Sequence, residues 1–356
     1  MRVLFDGYWW ADGPIANRSV QRDLIAAWSA RYPEDEVVVA LRRDVRHPGD
    51  LPASATTVTT RLWPHALSNL VELGRQARSL RADLVLAHNY TPVCAGAVTF
   101  IHDVMFRDHP EWFSVAERGY FWPMLPTARW AAVVATSSRT EAARIERHSR
   151  RLSPVLAVGL AVPSALSTVL PVMPEAARGL ASFALTVGRL NVRKNLDAVI
   201  RGAAESTVIT PDSPLLVVGS SEHSGVASNA PQDYRELVEA GRLRFLGRVS
   251  DAELAWLYQH ASLAVNLSLD EGFGLPAVEA LWFGAPLLVS DVAVFRETVG
   301  SYGTFIDPAA QPKRIGEAID SAWGSRPVPP ALPGWHDVVG ALRSGSEAGL
   351  RGAKRR

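Results

Sequence analysis

The chain has 356 residues, of which 47% are hydrophobic, and its 37 Lys and Arg nearly cancel 36 Asp and Glu, for a net charge of +1. That length suggests two domains, and the near-neutral balance makes no case for nucleic acid as a partner. The single cysteine, Cys94, rules out an internal disulfide and fits a reducing compartment such as the cytoplasm, and no long apolar run follows Met1 to suggest a signal peptide or membrane span.

Short β-branched apolar runs alternate with helical patterns from the start, the mark of a doubly wound α/β protein with parallel sheets. In the first half the expected strands are Arg2–Asp6, Glu36–Leu41, Thr57–Leu62, Asp83–Ala87, Val98–His102 and Ala132–Thr136. Helices are expected over Ala16–Ala30, Pro64–Leu80, Val115–Leu125 and Arg139–Arg147. Pro, Ser, Ala and Val crowd the stretch Val162–Gly179 without a period, which reads as an interdomain linker. A second series follows, with strands Phe183–Val187, Leu215–Gly219, Leu243–Leu246, Leu263–Leu267, Pro286–Ser290 and Thr304–Ile306. Its helices are Lys194–Ala204, Asp233–Ala240, Asp251–Gln259, Pro276–Trp282 and Pro312–Trp323. Asp251 is the expected N-cap of its helix, with Ser250 as competitor. After a Pro-rich break, Trp335–Leu342 forms a short helix and a basic tail frays into solvent. Two such halves facing each other would bring the carboxyl ends of both sheets to one cleft, where open α/β sheets bind ligands.

Eleven tryptophans are many for this length, and those in the first half include Trp9, Trp10, Trp63, Trp112, Trp122 and Trp130. Core packing is the plain explanation, and a sugar-stacking or membrane-interface surface is the sharper one.

The most informative segment is Glu271-Gly272-Phe273-Gly274-Leu275-Pro276-Ala277-Val278-Glu279. Its glycines permit a sharp turn with close backbone approach, and Pro276 suits a first helical turn. Such a helix start offers free N–H groups and the positive end of a dipole, a ready place for phosphate. Two carboxylates at a phosphate site make sense if the ligand also carries hydroxyls, as a nucleotide sugar does. A second element, Gly188-Arg189-Leu190-Asn191-Val192-Arg193-Lys194-Asn195, leaves a strand and opens a helix. Arg189 and Lys194 would set cations where a diphosphate needs neutralising. Read alone, the run is a solvated basic turn. Its place at a strand end favours the site.

Together these strings resemble the retaining GT-B glycosyltransferases of the family 4 type, glycosyl transferases group 1. Leu216–Gly219, Phe245-Leu246-Gly247 and Gly284-Ala285-Pro286 followed by Glu297 fall where that family has similar runs. The match is specific over Phe183–Pro308 and weaker over the first half. The resemblance implies a GT-B fold with an N-terminal acceptor-binding domain over 1–170, a nucleotide-sugar domain over 171–334, a helix near 335–345 packing back on the first domain, and a flexible basic tail from 346. It implies that Arg189 and Lys194 grip the donor diphosphate beside Gly188. Glu271 then bonds donor-sugar hydroxyls, and the backbone of Gly272, Phe273, Gly274 and Leu275 holds sugar and phosphate. Glu279 bonds the ribose, and Phe245–Val249, with Arg248, runs along the base. In the first half His102 and Asp103 end a strand where the family has a His-Asp pair, so His102 would reach the transferred sugar and Asp103 would orient it or cap the next turn. Ser137 or Ser138, which matches a family strand-to-helix serine, reads better as a helix cap.

The first loop departs from the family pattern. It reads Asp12-Gly13-Pro14-Ile15-Ala16-Asn17-Arg18, and only Gly13 remains as a close-approach glycine. Asn17 and Arg18 would face acceptor or phosphate, and Trp9-Trp10 would form an acceptor platform. No Asp-x-Asp triplet or metal-ligand spacing of Cys and His occurs, so no metal and no cofactor is expected. The expected partners are a nucleotide sugar and a glycan or lipid-linked acceptor, with peripheral membrane contact at the inner face. Competing readings are a GT-B epimerase, which would act on donor alone, and a silent nucleotide-sugar-binding protein, which would bind without turnover. A phosphorylase finds no case for its lysine, and the missing Gly-x-Gly-x-x-Gly argues against a dinucleotide oxidoreductase.

Overall fold

A computed structural model describes residues 1–45, 49–152, 154–219, 234–326 and 328–353. Asp233, the expected start of one helix, and the last residues of the tail, 354–356, lie outside them. The chain divides into two compact units: 1–110, 115–163 and 333–356 form the first, and 111–114 with 164–332 the second.

The first unit holds a seven-stranded parallel sheet in the order β3-β2-β1-β4-β5-β6-β7. Its strands are β1 Arg2–Asp6, β2 Glu36–Arg42, β3 Thr56–Thr60, β4 Leu84–His88, β5 Ala97–Ile101, β6 Val133–Thr136 and β7 Leu156–Ala157. The central strands are unbroken apolar runs because helices cover both faces; Val3, Leu4, Val85, Leu86 and Val98 are fully buried. The Thr-rich β3 takes an edge and exposes most of its side chains. The two-residue β7 is too short to leave a sequence signal.

The second unit repeats the plan with six parallel strands in the order β10-β9-β8-β11-β12-β13. These are β8 Ala184–Val187, β9 Leu215–Val218, β10 Leu243–Gly247, β11 Leu263–Asn266, β12 Leu287–Ser290 and β13 Thr304–Ile306. Beneath the sheet the helices Leu196–Glu205 and Pro312–Ala322 cross closely. A Cβ on Gly202 would stand 2.2 Å from the Ile315 side chain, so only glycine permits the approach. In each sheet the strand order reverses beside the first strand, between β1 and β4 and between β8 and β11. Ligands of open α/β sheets settle at such switch points, beyond the carboxyl ends of the strands.

Several local expectations change. The expected helix Val115–Leu125 is broken into Val115–Phe121 and Met124–Ala128, because Pro123 lacks the N–H that would continue it. Ser250, not Asp251, caps the helix Asp251–His260: its hydroxyl accepts from the Glu253 N–H while the Glu253 carboxylate accepts from the Ser250 N–H. The stretch expected as a linker carries a helical turn, Ser164–Thr168. The last helix runs Trp335–Ala353, so residues 346–353 are helical where a loose tail was expected. Three of its glycines account for this. Gly340, Gly345 and Gly349 lie against Arg31, Leu156 and Val133, and Cβ atoms at Gly345 and Gly349 would meet those neighbours at 2.2 Å. Arg343, paired with Asp35 at 3.0 Å and Glu347 at 3.0 Å, fixes the same helix.

Candidate active site

In the second unit the β8 strand ends in Gly188 at φ 157°, back to back with Gly219; a Cβ on Gly219 would lie 1.7 Å from the Gly188 carbonyl oxygen. The chain then makes a 3₁₀ turn over Val192–Lys194, whose Lys194 N–H donates to the Asn191 side chain at 3.2 Å. Asn195 leaves that turn in the left-handed region, φ 51°, and its amide donates to the Pro308 carbonyl at 3.0 Å. The Leu269 N–H, donating to the Arg193 carbonyl at 2.8 Å, ties this loop to the one after β11.

The tie brings the two sequence motifs together. Lys194 Nζ lies 2.5 Å from Glu271 Oε1, and Arg193 Nη1 lies 2.8 Å from Glu271 Oε2. Ser268 Oγ lies 2.8 Å from Glu271 Oε1 and 2.7 Å from Asn266 Oδ1, and its single proton serves one of them. Burial alone would push the Glu271 carboxyl up. Lys194 and Arg193 outweigh it and hold the group down at about 2. Burial in turn pulls the Lys194 ammonium below its ordinary value, against the opposing pull of Glu271. Gly188, Arg189, Lys194 and Asn266 line a small cavity at this switch point, and the buried Asn266 amide nitrogen has no hydrogen-bond partner among the described residues.

Beyond Glu271 and Gly272, Gly274 turns through φ 82° against Phe295, whose ring a Cβ would meet at 2.5 Å. The helix Leu275–Trp282 starts there, and its first turn closes from the Ala277 N–H to the Gly274 carbonyl. Phe273 and Gly274 directly precede the helix, and Leu275 opens it at the positive end of its dipole. Glu279, one turn further on, is 8% exposed and accepts from the Tyr258 hydroxyl at 2.9 Å. Burial raises its carboxyl to about 7. Arg248, expected along the base, is exposed on the loop after β10.

In the first unit the switch point is organised by Asp6, the last residue of β1. Its Oδ2 accepts from His65 Nε2 at 2.8 Å, Asn69 Nδ2 at 2.7 Å and the His88 N–H at 3.1 Å, and its Oδ1 accepts from the Tyr8 N–H at 3.0 Å. Asn69 sits in a π-helical stretch, Ser68–Leu73, inside the helical segment 65–80. His88 ends β4, and its Nδ1 lies 3.2 Å from Nε2 of His102, just past β5, with the two rings stacked. Burial holds both imidazoles below their ordinary value, His88 at about 4, so both are neutral near pH 7. Burial would raise the Asp6 carboxyl, but His65, His88 and Asn69 prevail and lower it. Asp103 accepts from the Met105 N–H at 3.3 Å, the turn-capping part of its expected role. The buried Glu141 anchors the same loop by accepting from the Val104 N–H at 2.8 Å, and Ser138 caps its helix.

The acceptor platform expected from Trp9-Trp10 does not form. Trp10 is 1% exposed, turned into the core beneath the Arg22 guanidinium, because its loop folds back over the helix Ile15–Arg31. Trp9 lies under Gly13, where a Cβ would meet its indole at 2.2 Å, so packing on that ring explains the glycine. Asn17 and Arg18 are half-buried, and Arg18 reaches the Ala11 carbonyl. Sequence reasoning assigned no site role to Asp6, His65, Asn69, His88, Arg193, Ser268 or Tyr258. Asp6 and His88 carried one signal, a polar residue ending an otherwise apolar strand.

Residues 176–328 match the family model of the glycosyl transferases group 1. Over 228 residues, 60% of this chain, it is 30% identical to the O-antigen chain mannosyltransferase B of Escherichia coli, covering 57% of that protein. It is 31% identical over 129 residues, 36% of this chain and 35% of the relative, to the O-antigen chain mannosyltransferase RfbU of Salmonella typhimurium. The chain thus spans about half or less of the curated relatives it matches. Among solved structures, WaaG, a glycosyltransferase involved in lipopolysaccharide biosynthesis, aligns with a TM-score of 0.64 at 16% identity, covering 97% of this chain and 95% of WaaG. HepE from Anabaena, solved with UDP-glucose, aligns with a TM-score of 0.59 at 15% identity over all of both chains. At these identities the structural likeness is one of fold, and the fold is the two-domain α/β architecture of the GT-B glycosyltransferases.

Proposed function

We propose that the chain is a retaining glycosyltransferase that moves a hexosyl unit from a nucleotide-diphosphate sugar to a glycan or lipid-linked glycan. The observation that carries this reading is the clamp of Lys194 and Arg193 on Glu271, set beside a glycine-flanked helix start at a switch point. A diphosphate would meet the cations and the helix N–H groups, while Glu271 reads sugar hydroxyls and Glu279 reads the ribose. Charge develops on the departing diphosphate, so these fixed cations and dipoles supply electrostatic stabilisation without a metal ion. The leaving diphosphate oxygen takes the acceptor proton, and no protein nucleophile is assigned. The two glutamates therefore do not form the acid and nucleophile pair of a glycosidase.

Mannose is the favoured sugar because the two curated relatives are named mannosyltransferases. The proposal places the enzyme in the cytoplasm, in peripheral contact with the membrane. Val115, Trp122 and Trp130 are exposed beside Arg118 and Arg129, and no helix among the described residues is long and apolar enough to cross a bilayer.

Thermal shifts with GDP, UDP, dTDP and ADP identify the base, since a ligand bound only by the native state raises the melting temperature. Transfer from the corresponding labelled sugar nucleotide is then measured with Glu271→Ala. The expected result is retained nucleotide binding with turnover down by about 10²-fold or more, the scale of a lost transition-state contact. Unchanged turnover, or no shift with any of the four nucleotides, refutes the assignment.

A further inference from the structure

Glu279 sits in a setting that a purely structural role does not require. It is buried one turn into the helix Leu275–Trp282, and no cation pairs with it among the described residues. Its hydrogen-bond partner is Tyr258, from the helix Asp251–His260, at 2.9 Å. That phenol is 1% exposed, its ring stacks on Phe283 with centroids 5.9 Å apart, and burial together with Glu279 holds its proton in place. Tyr258 is therefore a fixed donor aimed at one carboxylate oxygen. Joining two helices in this way needs only a neutral acceptor, which Gln would supply without the cost of burying an acid. A carboxylate adds a second oxygen able to take hydroxyl protons in a charge-assisted bond.

From this geometry we infer that Tyr258 is a positioning residue for nucleotide recognition: by holding Glu279 Oε2 it presents the other oxygen to the vicinal hydroxyls of the donor ribose. The inference rests on the reading above that Glu279 meets the ribose. Tyr258 itself touches no ligand. It removes the rotational freedom of the Glu279 carboxylate before binding, so less ordering is needed when the diol arrives. Selectivity follows as well, because a site built to bond a hydroxyl loses affinity for the analogue lacking it.

The test is a double-mutant cycle by titration calorimetry on the full chain, with Tyr258→Phe, Glu279→Gln and the double variant. The probes are whichever of GDP, UDP and ADP binds best and its 2′,3′-dideoxy counterpart. Wild type should prefer the ribonucleotide, and Tyr258→Phe should weaken it by about fivefold, the scale of one net hydrogen bond. The same variant should leave the dideoxy form within about twofold, and in the Glu279→Gln background Tyr258→Phe should change neither. Thermal melts show that each variant is folded at the titration temperature. If Tyr258→Phe weakens both nucleotides equally, Tyr258 is a structural staple and the inference fails while the ribose reading of Glu279 stands. If Glu279→Gln leaves the preference for the ribonucleotide intact, the ribose reading fails and the inference falls with it.

Discussion

Asp6 and Glu271 are both buried carboxylates held below their ordinary range beside a strand-order reversal, but the two units neutralise them differently. In the second unit Glu271 is met by two cations, Lys194 and Arg193. In the first, Asp6 is met by an imidazole, an amide and a backbone N–H, and the neighbouring His88 and His102 are kept neutral by burial. The cationic site suits an anionic ligand, which can share Lys194 and Arg193 with Glu271. The Asp6 site already contains its own anion and no fixed cation among those partners, so a second anion there would be opposed. What it offers instead is orientation: strands β1 and β4 are locked together at the point where His102 is presented.

The largest expected effect comes from breaking the Asp6 arrangement. Asp6→Ala would leave His65 Nε2 and the N–H groups of Tyr8 and His88 as buried donors without their acceptor, whereas Asn69 Nδ2 keeps the carbonyls of His88 and Tyr90. Each orphaned group costs about 1–3 kcal/mol, so a loss of about 4 kcal/mol in unfolding free energy is expected. Denaturant unfolding measures it, and a loss below about 1 kcal/mol would show that water replaces the carboxylate and that the anchor is not structural. Lys194→Met should cost less, about 2–3 kcal/mol, because Arg193 remains to share Glu271 whereas removing the sole partner of a buried ion costs about 3–5. Its effect on transfer should be of similar size, about 10²-fold in turnover. If Lys194→Met folds and transfers normally, the cationic half of the comparison is wrong.

The same contrast decides what the sequence revealed. The second-unit site residues lie in two continuous runs, 188–195 and 271–279, where turn glycines, cations and a helix-opening proline keep fixed spacing, so the motif is local. Gly188 and Gly274 have the positive φ that their positions suggested. The first-unit cluster draws residue 6, the pair 65 and 69, residue 88 and residue 102 from four separate segments, joined only by sheet order and by the widened π turn that carries Asn69. No spacing rule connects them. Of this group only His102 could be chosen beforehand, through the His-Asp pair. Tryptophan chemistry misled for a related reason. A Trp-Trp pair beside a loop reads as a surface platform until the fold shows Trp10 beneath Arg22. Strand positions were legible because parallel, doubly covered strands are continuous apolar runs. The ends of helices were less so, because Gly340, Gly345 and Gly349 favour a helix only through the close neighbours that packing supplies.

The expected effect that sharpens the comparison most, and that changes no side chain, is the pH response of Glu279. It is a buried carboxyl that moves upward, to about 7, because burial dominates over the Tyr258 hydrogen bond and the attraction of Lys194, with Asp251 adding repulsion. An acid whose value is raised by folding binds its proton more tightly in the native state. Stability should therefore fall as pH rises from about 4.5 toward 7, by at most about 1.4 kcal/mol per pH unit for one proton, and the contribution should be level above that window. Asp6, moved the other way, contributes stability that is present above the ordinary carboxylate range and is lost only in acid. Nucleotide binding should invert the sign at Glu279. Ribose hydroxyls donate to the ionised form, so nucleotide affinity should rise through pH 7 while intrinsic stability has been falling. Glu279→Gln should flatten both profiles between pH 5 and 8, whereas Asp6→Asn should leave the affinity profile unchanged. Glu271, held down at about 2, stays charged across this interval and adds no slope of its own. A nucleotide affinity that rises equally with pH in wild type and Glu279→Gln would move the titrating group elsewhere and remove Glu279 from the ribose site.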